Sequence, residues 1–275
     1  MNNKRGSPAL ASAINNINFC PKSKRSQLTI FVIIALIIVV AAVIIYLIYP
    51  KISAPSISLS PVEQIQNCLE DEIQEKTEQI SLNGGSLNPQ FYSNYYFESK
   101  KYTVEYLCYT NEYYKQCVMQ QPLLKSHIEN EIKNAINKKV GECFDTLEKD
   151  LIKKGYSVDL KRNDYNIEIN SGKIKTTINY ELTLSKESTN KYDEFVVSID
   201  SNLYRLVNIA NKILLGEAEL GDADISSYMD ANYWLKAVKR KLTDGTKIYT
   251  LTDKDTENKF MFASRSVVWP PGSGI

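Results

Sequence analysis

Residues 122–154 read PLLKSHIENEIKNAINKKVGECFDTLEKDLIKK, and the spacing of their apolar side chains sets the architecture. Leu124, Ile128, Ile132, Ile136, Val140, Phe144, Leu147 and Leu151 recur every three or four positions, one stripe of an amphipathic helix. Pro122 opens that helix and Gly155 stops it. Directly afterwards the period falls to two. Tyr165, Ile167 and Ile169 alternate with polar residues, Asn170-Ser171-Gly172 turns, and Ile174, Ile178, Tyr180, Leu182 and Leu184 extend the pattern from Lys173 to Ser185. That is a hairpin with one buried face. Helices and antiparallel strands in separate blocks predict an α+β fold, with about three amphipathic helices packed on antiparallel β-strands.

Upstream, Ser60-Pro61-Val62-Glu63 combines an N-cap, a proline at the first helical position and a capping-box glutamate. Val62, Ile65, Leu69, Ile73 and Ile80 then predict a helix that ends at Asn83-Gly84-Gly85. Between these helices, residues 91–114 are dense in aromatics. Tyrosines there read first as packing over a helical pair and, where exposed, as a binding platform; Tyr95, Tyr96, Tyr113 and Tyr114 are the candidate interaction surface. Downstream, Phe195, Ile199, Leu203, Leu206, Ala210 and Ile213 predict a second long helix over 191–216. Strands follow at 236–243, 246–252 and 259–268, the first two joined by an Asp244-Gly245 turn. Residues 61–268 thus form one domain, and 269–275 a flexible tail.

Leu28 to Tyr49 reads LTIFVIIALIIVVAAVIIYLIY, twenty-two residues without charge, glycine or proline. As a helix it would reach roughly 33 Å, against a bilayer core of about 30 Å, so it predicts a single transmembrane span. The five basic residues of 1–49, Lys4, Arg5, Lys22, Lys24 and Arg25, all precede the span, and no acid lies among them. The positive-inside rule then puts 1–27 in the cytoplasm, 50–60 as a Pro/Ser linker outside, and the C-terminal domain beyond it, in a cell membrane location with the bilayer as partner. Of the 33 Lys and Arg, 28 remain after residue 49 against 32 acids, a balance that excludes a nucleic-acid-binding body.

The run KSKRSQLTIF over 22–31, basic residues and a small residue before Gln and an apolar helix, resembles the class III leader of archaeal type IV pilin-like precursors. It is also similar to the start of many single-pass archaeal surface proteins. The resemblance covers the leader and the span only. It implies cleavage between Ser26 and Gln27 and packing of the apolar helix into a filament or the membrane. Ser26 stands where that family usually carries Gly or Ala, and Phe31 where many members carry Glu.

Four cysteines follow the span: Cys68, Cys108, Cys117 and Cys143. An even number in an oxidising compartment reads as two disulfides, with three pairings open. Cys68 and Cys143 sit on the apolar faces of two helices, and Cys108 and Cys117 share one short segment, which favours Cys68–Cys143 with Cys108–Cys117. Zinc is the alternative use, without any CxxC pair to support it. Cys20 reads as a free thiol.

The chain carries a single histidine, His127, which removes most metal sites and the usual Ser/His and Cys/His nucleophile pairs. No phosphate-binding glycine loop occurs, and 253–258 (DKDTEN) lacks the glycine and final glutamate of a calcium loop. No cofactor, metal or catalytic residue is assigned. The expectation is a membrane-anchored surface protein with a disulfide-stabilised ectodomain, in a pilin-like, interaction or structural role, meeting a protein partner or its own copies on the outer side. The alternatives are an anchored hydrolase of cell-surface polymer using Asp/Glu pairs, or a scaffold component of a secretion or pilus machine.

Overall fold

A computed structural model describes residues 25–48 and 60–270 of the chain. The chain divides into two units, 1–58 and 59–275. Residues 1–24, with Cys20, residue 49, most of the linker (50–59) and the end of the tail (271–275) lie outside the described residues.

The first unit contributes helix α1, Arg25–Ile48. Ser26 and Gln27, the junction of the leader resemblance, fall in its first turn. Its described side chains are those of 31–44, and large apolar ones among them are exposed, from 48% at Ile34 to 71% at Phe31. Among the described residues no helix is long and apolar enough to cross a membrane. The expected transmembrane helix over 28–49 is corrected accordingly. With it go the single-pass membrane location and its assignment of sides.

The second unit begins with α2 (Pro61–Leu82), where the capping box forms: Glu63 N donates to Ser60 Oγ at 3.2 Å and Ser60 N to Glu63 Oε2 at 2.8 Å. Its buried face, Ile65, Leu69, Ile73 and Ile80, packs on that of α3 (Leu124–Lys153). Cys68 and Cys143 join the two helices in a disulfide with Cα atoms 6.0 Å apart. A second disulfide, Cys108–Cys117, closes a local loop.

Twelve strands and five helices are present among the described residues. Strands β1 (Tyr92–Phe97), β2 (Lys100–Tyr109), β10 (Leu235–Lys241), β11 (Lys247–Asp253) and β12 (Lys259–Arg265) make a sheet in the order β1-β2-β12-β11-β10, with the two-residue β3 (Val118–Met119) beside β2. The β2–β12 pair is parallel and the others antiparallel. Two three-stranded antiparallel sheets complete the set. One is β4 (Ser157–Lys161), β7 (Glu181–Ser185) and β8 (Thr189–Tyr192); the other is β5 (Tyr165–Asn170), β6 (Lys173–Ile178) and β9 (Phe195–Asp200). Helices α4 (Leu203–Leu220) and α5 (Ile225–Ala231) lie between β9 and β10 in the chain.

The fold is therefore mixed α/β rather than three helices on antiparallel strands behind a membrane span. The helix expected over 191–216 is two strands, β8 and β9, and then α4. Phe195 and Ile199 stand four apart, a step that suits a helix turn and a strand face alike. The inward set Phe195, Val197 and Ile199 is strand-like, and its β-branched members favour the pleated surface. The single strand expected over 173–185 breaks at Asn179-Tyr180, and its halves β6 and β7 enter different sheets.

Candidate interaction site

At one end of the six-stranded sheet, the loop after β2 and the residues after β12 are laced together. Thr110 N donates to Arg265 O (3.0 Å), Tyr114 N to Val268 O (2.9 Å) and Val267 N to Lys115 O (2.7 Å). The Cys108–Cys117 disulfide ties the base of the loop, and Cys117 N donates to Ser266 Oγ at 2.9 Å. Arg265 donates through Nη1 to Thr110 O at 2.5 Å, with its guanidinium over the rings of Tyr109 (5.9 Å) and Tyr113 (5.8 Å).

Two non-glycine residues of this clasp occupy the left-handed region, Tyr114 at φ 58° and Val267 at φ 47°. For a β-branched valine that is a true outlier, and such positions cost about 1–3 kcal/mol each. Packing beneath holds them. Gly221, the left-handed cap of α4, and Gly245 of the β10–β11 turn leave room for Val267 and Val268, which any Cβ there would strike. Tyr113 (43% exposed), Tyr114 (54%) and Trp269 (56%) remain at the surface, Tyr114 edge-on to Trp269 at 5.0 Å. Beside them opens a cleft of about 400 Å³ lined by Leu220, Asp222, Lys241, Leu242, Val268 and Trp269 among others.

Under the clasp lies a buried polar hub. Glu217, fully buried, accepts from Lys247 Nζ (2.8 and 3.0 Å), Tyr249 Oη (2.5 Å), Ser264 Oγ (2.8 Å) and Ala223 N (3.0 Å). Lys247 Nζ also donates to Gly221 O at 2.5 Å. Burial, then the charge of Glu217, pushes the Tyr249 phenol far above its ordinary value. Burial alone would raise Asp222, but hydrogen bonds and charge from Lys239 and Lys247 outweigh it and hold its carboxyl at about 2.

Of the four candidate tyrosines, the structure gathers only two here. Tyr95 and Tyr96 lie on β1, opposite Tyr102 and Lys101. Tyr109, where β2 enters the clasp, is eight residues beyond Lys101, about 27 Å along the strand. Tyr95 packs against the cluster around Leu82 and Tyr106, whereas Tyr96 is 71% exposed.

His127 does meet a serine and a carboxylate. Ser86 Oγ donates to Glu105 Oε2 at 2.6 Å and lies 2.8 Å from His127 Nε2, while Leu87 N donates to Glu131 Oε2 at 2.8 Å. Burial raises Glu105 above the ordinary carboxylate range, against the lowering effects of Ser86 and His127. Ser86 Oγ thus stands between a carboxyl and an imidazole, and the direction of its bond to His127 follows the imidazole tautomer. The cluster ties the α2–β1 connection to β2 and α3, and the main clefts of the described residues are lined by neither Ser86 nor Glu105.

Carboxylates do face a cleft of about 250 Å³, where Glu78, Asp200 and Glu257 stand exposed on its walls. Glycosidic acid–base work pairs a solvated carboxylate with one set in an apolar wall, and no such partner is among the three. Within 253–258, Asp253 is committed to the protein: one oxygen accepts from Asp255 N and Thr256 N and the other pairs with Arg205. Among the described residues no group of three His, Cys, Asp or Glu side chains is placed to hold a metal ion. Compared with family models, curated proteins and solved structures, the chain matches none.

Proposed function

We propose that this protein is a non-enzymatic interaction protein of an oxidising compartment, which grips a protein partner at the aromatic clasp Tyr113, Tyr114 and Trp269. The observation that carries this reading is the pair of facing left-handed residues, Tyr114 and Val267, locked by a disulfide and a buried ion pair. Strain kept at a braced surface, with three aromatic rings held outward, is the pattern of a preorganised binding site. The two disulfides support the compartment.

A photo-crosslinking residue placed at 114 should capture one discrete partner in living cells, and the same residue at Tyr233, 87% exposed elsewhere, should not. Buried aromatic anchors contribute about 2 kcal/mol each, so Tyr114→Ser with Trp269→Ser should weaken that complex roughly 100-fold or more while the melting transition stays put. Equal capture at 114 and 233, or undiminished binding by the double variant, refutes the clasp.

A pilin-like role is a second reading, favoured by the apolar side chains of α1 that its own unit leaves exposed. In the resembled family, copies of that helix cover one another in a filament. Protein isolated from cells should then begin at Gln27. A mature chain beginning at Met1 removes this reading and leaves the clasp untouched.

A further inference from the structure

Apart from the two-residue β3, six edge strands bound the three sheets among the described residues of the second unit, and they differ in one respect. β10 carries Lys236, Lys239, Arg240 and Lys241; β8 carries Lys191; β4 carries Asp159 and Lys161; β5 carries Glu168; β9 ends on Asp200. β1, reading YSNYYF over 92–97, carries no charge and no proline. Charged residues on an edge are the usual guard against pairing with another chain, because a strand docking there must desolvate or oppose them. Of these six, only β1 goes without that guard. It is six residues long, paired to β2 on one side and to no strand on the other among the described residues. Tyr95 and Phe97 anchor its inner face on the Leu82–Tyr106 cluster, so the strand is held extended, with Tyr92, Asn94 and Tyr96 exposed on the other face.

We propose that β1 is a self-association edge, where a second copy of this chain adds its own β1 antiparallel and continues the sheet across a twofold axis. An axis perpendicular to the sheet keeps each residue on its own face, so opposed residues must both be odd or both even. Centring on Tyr95 sets Tyr95 against itself, Asn94 against Tyr96 and Ser93 against Phe97 of the second copy. Every pair is uncharged and each holds an aromatic ring, with Tyr95 against Tyr95 an aromatic pair at the centre. On β10 the same operation would set Lys239, Arg240 and Lys241 near like charges of the second copy. A charged foreign strand would find no countercharge on β1, which favours an identical strand as occupant. Twofold closure uses the edge up and ends in a dimer, not a fibre. The inference is independent of the clasp, which uses other residues about 27 Å away along β2.

The test is sedimentation velocity on the full chain with both disulfides formed. Asn94→Lys/Tyr96→Lys places lysines opposite each other at two pairs of the twofold register. It should weaken dimerisation at least about tenfold. Asn94→Glu/Tyr96→Glu should do the same. Mixing the lysine and glutamate variants should restore a heterodimer. Both sites are exposed, so circular dichroism should show the fold unchanged. A wild type that stays monomeric at 100 µM overturns the proposal, as does a lysine variant that dimerises as tightly as wild type, which would put association on α1 or elsewhere. Failure of the mixed variants to pair, with each still folded, overturns it equally.

Discussion

Lys247→Met should cost about 3–5 kcal/mol of folding free energy, the largest single-site loss we expect in the six-stranded region. The substitution leaves the sheet position apolar and similar in volume, so the loss comes from Glu217. That carboxylate has no exposed surface, and among the described residues the lysine is its only ionic partner, with the side chain of Lys247 itself 6% exposed. Tyr249, Ser264 and the Ala223 amide would still donate to it, which keeps the loss below that of a bare buried charge. Removing both charges, Glu217→Gln with Lys247→Met, should recover most of the stability, since the amide oxygen can accept from Tyr249 and the Ala223 amide while its NH2 donates to Ser264 Oγ. Urea denaturation of the four variants in this cycle measures the effect. A single-variant loss below about 1 kcal/mol would mean that water reaches Glu217 and the hub is not the keystone of the clasp.

Cys68→Ala/Cys143→Ala should lose about 4 kcal/mol, and Cys108→Ala/Cys117→Ala closer to 2.5 kcal/mol. The difference follows from loop length. The first bridge spans 75 residues and the second 9, so the first removes more freedom from the unfolded chain. The two losses should also differ in kind. Opening the long bridge frees α2 from α3 and lowers stability throughout the second unit. Opening the short one releases the loop that holds Tyr114 in its left-handed conformation, so partner capture at residue 114 should fall even where the fold persists. Thermal denaturation and hydrogen exchange on the paired variants separate these outcomes. Equal losses, or no change at the clasp when Cys108–Cys117 is opened, would contradict this assignment of roles.

The helices α2 and α3 were legible because their determinants are local. A capping box lies within four residues, and a repeating apolar stripe over thirty residues admits one period only. The disulfide partners followed from the same stripes, since Cys68 and Cys143 could meet only if the two apolar faces did. Short segments were not so constrained. Phe195 and Ile199 satisfied both periods, and the deciding residue, Val197, reads as strand only once β6 lies beside it. The long apolar run at 28–49 was read as a membrane span, and among the described residues no helix is long and apolar enough to make one.

Glu217 left a trace that composition hides. It occupies the next step of the stripe Leu203, Leu206, Ala210, Ile213, so an acid stood on a face that had to be buried, and a buried cation had to be supplied elsewhere. Which cation it would be was not written in the chain near it, because Lys247 is thirty residues away on a strand of another layer. The clasp is further removed still. Nothing around Tyr114 or Val267 favours a positive φ, and both are held there by residues that the fold alone brings close: Lys115, Gly221, Ser266 and Val268. Helix limits, apolar faces and the disulfide-bearing residues came from interactions within one or two turns of chain. Sheet order, the parallel β2–β12 pair, the buried ion pair and the aromatic site came from contacts between distant segments, whose free energy exists only when the whole core has assembled.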